Sequence, residues 1–139
     1  MNQTTPHPFI QVREGAIHRD DLGHPLPPNC GAVVEFSGRV RDSEDERPIS
    51  AIDYEAFREM AIAELTRIGE EIIERHVLTD LVCVHRIGVV PVHQSAVYVR
   101  TAARHRKAAY EANMEFMERL KQHVPIWKHP VFHHIDGIS

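Results

Sequence analysis

Between Phe57 and His76 the chain carries one apolar stripe. Phe57, Met60, Ala61, Leu65, Ile68 and Ile72 recur at three- and four-residue steps. That is the period of an α-helix with one buried face. Glu59, Glu64, Arg67, Glu70, Glu71 and Arg75 fill the other positions, so the stripe is core. The surrounding text is β-rich. GAVVEFSGRV (31–40), SAIDYEA (50–56), LVCVHRIGVV (81–90) and SAVYVRTA (95–102) read as strands, and Phe9 to Val12 as a short one. In the second of these, Ile52 and Tyr54 share a face. A second helix is expected from about His105 to His123, burying Ala109, Ala112, Phe116 and Leu120. Val124-Pro125 ends it, because the residue before a proline is pushed out of the α region. His24 to Asn29 is a proline-rich breaker, and DSEDERP (42–48) reads as an exposed acidic loop. The order predicts a single α+β domain over residues 1–139, a mostly antiparallel sheet with two main helices. The exact topology stays open, a ferredoxin-like sheet included. Residues 1–7 and the tail 129–139 are expected to be loosely held.

Composition removes several function classes. Over 139 residues the net charge is −4, which gives no general grip on nucleic acid. Aromatic residues make up 6% and do not interleave with basic runs, which argues against RNA. No P-loop or GxGxxG pattern is present. Cys30 and Cys83 form no CxxC pair and read as buried free thiols of a reducing compartment. The opening MNQTTPHPF is not a signal peptide, and no apolar run nears the ~18 residues of a membrane span. A cytoplasmic protein with neither membrane nor nucleic-acid partner is expected. His129, His133 and His134 cluster near the end without a recognisable ligand spacing. They read as a solvated tail, and no metal or cofactor is expected.

Positive charge gathers in three places. Arg39-Val40-Arg41 ends the first long strand, where alternation sends both arginines to one face. Arg104-His105-Arg106 opens the second helix, at the positive end of its dipole. Lys121 and Lys128 flank Pro125 and Trp127, the chain's only tryptophan. Each has a plain explanation. Arginines protect a strand edge, His105 and Arg106 could pair with Glu44–Glu46, and Lys121 suits a helix C-terminus. Together they suggest a site for a phosphate or carboxylate. Arg106 and Lys121 lie fifteen residues apart, about 22 Å along one helix, too far to touch one small ligand. If both serve one site, another chain must supply one of them, which predicts a homodimer with a shared site.

Five segments in register carry a resemblance. GAVVEFSGRVR (31–41), IDYEAF (52–57), VHRIG (84–88), ARHRKAAYEA (103–112) and LKQHVPIWK (120–128) together resemble the large, catalytic subunit of molybdopterin synthase. The resemblance implies an α/β hammerhead-like fold and a heterotetramer: a central homodimer of large subunits with a small ubiquitin-like subunit at each end. It implies that the small subunit's Gly-Gly C-terminus carries a thiocarboxylate and enters a pocket of the large one. Sulfur then passes to cyclic pyranopterin monophosphate in two rounds, forming the dithiolene of molybdopterin. Lys121 and Lys128 match the family's catalytic lysines, and Arg41 its strand-end arginine, with Arg39 beside it. His105 and Arg106 match a pair attributed to the partner subunit, while Phe36 and Met117 match pocket-lining residues. The chain departs from the pattern at His129-Pro130, where an acidic residue is usual, and in 42–48, which lacks an expected glycine. Two alternatives stand beside this: a non-catalytic module that docks a Gly-Gly tail, and a protein that binds a phosphorylated small molecule.

Overall fold

The computed structural model describes residues 5–18, 22 and 24–133. Among the described residues, eight strands and two helices follow the order β1 (Phe9–Arg13), β2 (Ala32–Arg39), β3 (Ser43–Glu44), β4 (Arg47–Ala56), α1 (Arg58–His76), β5 (Asp80–Arg86), β6 (Gly88–Pro91), β7 (Ser95–Ala103), α2 (Arg106–His123) and β8 (Ile126–Phe132). They form an α+β domain with two sheets. The larger has the order β1-β5-β7-β2, with β1 parallel to β5 and its other pairs antiparallel. The smaller is built around β4, which pairs with β3, β6 and β8, all antiparallel.

Both helices cover one face of the larger sheet. Ala61, Leu65, Ile68 and Ile72 of α1 meet Ala109, Ala112, Phe116 and Leu120 of α2 over Cys83, Val97 and Val99. The opposite face packs Val82, Val84 and Tyr98 beneath Leu22 and Ile17. Strand β5 is buried throughout, as expected of a strand covered on both sides. Its first residue, Asp80, is satisfied internally: Arg100 Nε donates to Asp80 Oδ2 at 3.0 Å, and His24 contacts the other carboxylate oxygen. Asn113, inside the α2 face, donates to the carbonyls of Val34 and Val99.

Several expectations need correction. Phe57 and Met60 are 62% and 63% exposed. Phe57 is the extended N-cap residue of α1. Met60 lies on the turn-by-turn row of Glu64, Arg67 and Glu71, which is the solvent face, so the true stripe starts at Ala61. The run 81–90 is not one strand. It breaks at Ile87, and Gly88 takes φ +82°, turning the chain from the larger sheet into the smaller. The segment 42–48 is no free loop but a β-hairpin in which Glu44 pairs with Arg47. Its two turn residues, Asp45 and Glu46, both have left-handed φ, 49° and 62°. Such a turn favours glycine, which explains why one was expected here. Cys83 is buried, and burial pushes its thiol pKa up, whereas Cys30 is only half-buried and precedes β2 rather than lying in it. The end of the chain holds the largest departure. Residues 126–132 form β8, paired along β4 from Ile49–Phe132 to Ala56–Ile126, and the Arg47 guanidinium stacks on Phe132 at 3.9 Å. No helix among the described residues is long and apolar enough to cross a membrane.

Helix α1 ends on Val77, which adopts φ 53° and is 76% exposed. A β-branched residue is strained in that conformation, the usual place for glycine. Val77→Gly is expected to raise stability by about 1 kcal/mol. An unchanged or lower urea midpoint would disprove the strain.

Candidate functional site

A cavity of about 730 Å³ opens where the two sheets meet the C-terminal end of α2. Strand β2 brings Phe36, and its end brings Arg39. A register shift between Gly38 and Arg39 marks this end. Val40 turns inward at 2% exposure, so Arg39 and Arg41 both face the cavity, as alternation predicts. Arg39 is partly committed: its Nε and Nη2 donate to the His93 carbonyl at 3.1 and 3.0 Å. Helix α2 contributes Met117 and Lys121, one helical turn apart on one side. Strand β8 contributes Lys128, which lies opposite Tyr54 in the ladder. The stretch between the lysines is short because Val124 caps the helix in an extended conformation and Ile126 starts β8. Trp127 points away from the core at 44% exposure and meets Phe57 edge-on at 5.3 Å. It anchors the strand, leaving the adjacent Lys128 to the cavity.

Six of the eight residues singled out in the sequence therefore line one cavity: Phe36, Arg39, Arg41, Met117, Lys121 and Lys128. His105 and Arg106 do not. They sit at the opposite end of the unbroken α2, the separation inferred from helical rise. Neither pairs with Glu44–Glu46 among the described residues. Glu44 instead accepts a hydrogen bond from Lys128 Nζ at 3.2 Å. Among the described residues, no hydrogen bond or ion pair engages Lys121 or Arg41. His129 pairs with Glu55 across the β4–β8 ladder, and His134 lies outside the described residues.

Sequence reasoning gave Glu44, Tyr54 and His85 no place in the site, yet all three line the cavity. Glu44 was hidden in an acidic run read as solvent-facing. His85 was hidden in a β-rich run. It is 5% exposed and shares the helix-facing side of β5 with Cys83. Its ring meets Tyr54 edge-on at 5.3 Å. Its Nδ1 lies 2.7 Å from the Arg86 carbonyl oxygen, which can only accept, so Nδ1 carries the proton. Burial lowers the His85 pKa, outweighing that hydrogen bond. Burial, and next the Glu44 carboxylate, raise that of Tyr54. The consequence for His85 is acid sensitivity. Near its ordinary value of 6.5 the unfolded chain takes up a proton that the folded chain refuses. Stability therefore falls as pH drops below about 6.5. In His85→Gln the loss of stability between pH 7 and 5 is expected to shrink; equal pH slopes in urea titrations would refute this.

The cavity thus offers Lys121 from α2, Lys128 from β8, Arg39 from the end of β2 and Arg41 from the connection after it, with apolar walls from Ile52, Leu120 and Ile126. Such a lining is chemically suited to an anion or to a developing oxyanion. Comparison with known proteins agrees in kind. The family model described as MoaE protein matches residues 12–123. A molybdopterin synthase catalytic subunit of Thermoplasma volcanium is 31% identical over 130 residues, covering 93% of this chain and 95% of its own length. One of Aspergillus niger is 38% identical over 110 residues, 79% of this chain and 60% of its own length. The chain thus spans about three fifths of that relative. The crystal structure of molybdopterin synthase from Staphylococcus aureus matches with a TM-score of 0.83 and 34% identity, over 91% of this chain and 92% of that one. Fold, cavity and sequence converge, and the chain belongs to the MoaE protein family.

Proposed function

We propose that this chain is the catalytic subunit of a molybdopterin synthase. It passes sulfur from the C-terminal thiocarboxylate of a small ubiquitin-like subunit with a Gly-Gly tail to cyclic pyranopterin monophosphate. The observation that carries the reading is the convergence of Lys121 and Lys128, from a helix end and a strand, on one cavity with Arg39 and Arg41. Both reactants are anions, and four cationic side chains suit them. Lys121 takes the thiocarboxylate end, where the acyl carbon becomes tetrahedral and its oxygen gains charge. Lys128, held by Glu44, faces the pterin side. Arg41 and Arg39 receive the phosphate, arginine's planar fork suiting that group. Sulfur arrives on the partner, so the chain needs no nucleophilic cysteine, and Cys83 is buried away from this task. His105 and Arg106 complete the cavity of a second copy in a homodimer, within a heterotetramer.

The test is reconstitution. The chain is mixed with a thiocarboxylated small subunit and cyclic pyranopterin monophosphate. Molybdopterin is assayed, and the mass of the carrier tail is followed as sulfur gives way to oxygen. Product with matching tail conversion supports the reading. A bound carrier with no product points instead to a docking module.

A further inference from the structure

Resting on the function proposed above, we infer that His85 is the general base that delivers water to the acyl carbon and frees the carrier after each sulfur transfer. The net change on the carrier replaces the sulfur of a thiocarboxylate with oxygen, so water must enter and lose a proton. Four cations on the cavity wall stabilise negative charge, but a protonated cation accepts no proton. His85 has what they lack. Its Nδ1–H is fixed on the Arg86 carbonyl at 2.7 Å, so the Nε2 lone pair remains open. Nε2 makes no hydrogen bond among the described residues. The ring is 5% exposed yet lines the cavity, which puts it on the inner wall. Tyr54 braces it edge-on. The side chain is thus held in one tautomer and one orientation, as a base requires.

The step balances without oxidant or reductant. The step starts from the thioester that joins the carrier's acyl carbon to the sulfur now carried by the substrate. A water proton passes to His85 Nε2 while the water oxygen bonds to the acyl carbon. The resulting oxyanion lies among the lysines. On its collapse the C–S bond breaks, its electron pair goes to sulfur, and the imidazolium returns the proton there. The products are a carboxylic acid on the carrier and a thiol on the substrate. The ionisable groups around the same cavity are Arg39, Arg41, Glu44, Tyr54, Lys121 and Lys128.

Two variants test this in the reconstituted system, with urea titration confirming that each folds. In His85→Gln the hydrolysis step is expected to slow by about 10²–10⁴-fold. The carrier–substrate thioester should then accumulate in the mass spectrum, and the acidic limb of the rate profile should vanish. His85→Ala opens a hole for added imidazole, which should restore carrier release. Wild-type hydrolysis rates in His85→Gln, with no accumulated thioester and an unaltered profile, would overturn the assignment. So would failure of imidazole to restore release in folded His85→Ala. Those results leave the proposed function standing. If the wild-type chain itself converts no thiocarboxylate, the function fails and this role with it.

Discussion

Lys121→Ala is expected to lower single-turnover sulfur transfer by about 10²–10³-fold, the usual cost of deleting one group that stabilises an oxyanion. The loss should fall on the rate and leave the fold intact. Lys121 is an exposed residue in the last turn of α2, so its structural contribution is the dipole interaction, about 0.3–1 kcal/mol. Burial of Leu120 beside it is unaffected. Carrier binding should persist, because Arg39, Arg41 and Lys128 remain on the wall. Lys121→Arg separates charge from shape. A guanidinium keeps the positive charge but spreads it over a planar fork, so partial recovery is expected. Full turnover by Lys121→Ala with a loaded carrier would remove this residue from the chemistry.

The second large effect concerns stability. Asp80 and Arg100 are 4% and 9% exposed and meet beneath the segment that carries His24. Asp80→Ala strands a buried guanidinium and is expected to cost about 3–5 kcal/mol. Replacing both partners, as in Asp80→Leu with Arg100→Met, removes the stranded charge and should recover most of that loss. The measurement is the urea midpoint of each variant at constant slope. Equal destabilisation by the single and double changes would show that shape, rather than charge pairing, sets the cost.

What could be read in the sequence was whatever repeats locally. Helix α2 announced itself through Ala109, Ala112, Phe116 and Leu120, all buried, because a helix shows its period within its own residues. Arg39 and Arg41 were placed correctly because alternation needs only three residues. Strand β8 was missed. Its exposed Trp127 and His129 and its Pro130 carry little alternating pattern, and its partner β4 lies far back in the chain. Its strand character comes from that ladder rather than from its own composition. His85 failed for a related reason. Its sequence neighbours mark a strand, but its value as a base depends on Arg86's carbonyl, on Tyr54 and on the cavity, which only the tertiary fold brings together. Lys121 and Lys128 were noticed as cations around the single tryptophan, and the catalytic role proposed for them came through family resemblance. Without it they were one helix-end cation and one cation beside an aromatic.

The break at Ile87 and Gly88 has a mechanical consequence. Lys121 rides on a helix bolted to the large core of Leu65, Ile68 and Phe116. Lys128 rides on a strand of the small sheet, whose own core is little more than Val40, Ile49, Ile52, Val90 and Ala96. Bodies with so unequal a store of buried contacts open at different free energies. The distance between the two ammonium groups is therefore a property of the joint between a stiff body and a softer one.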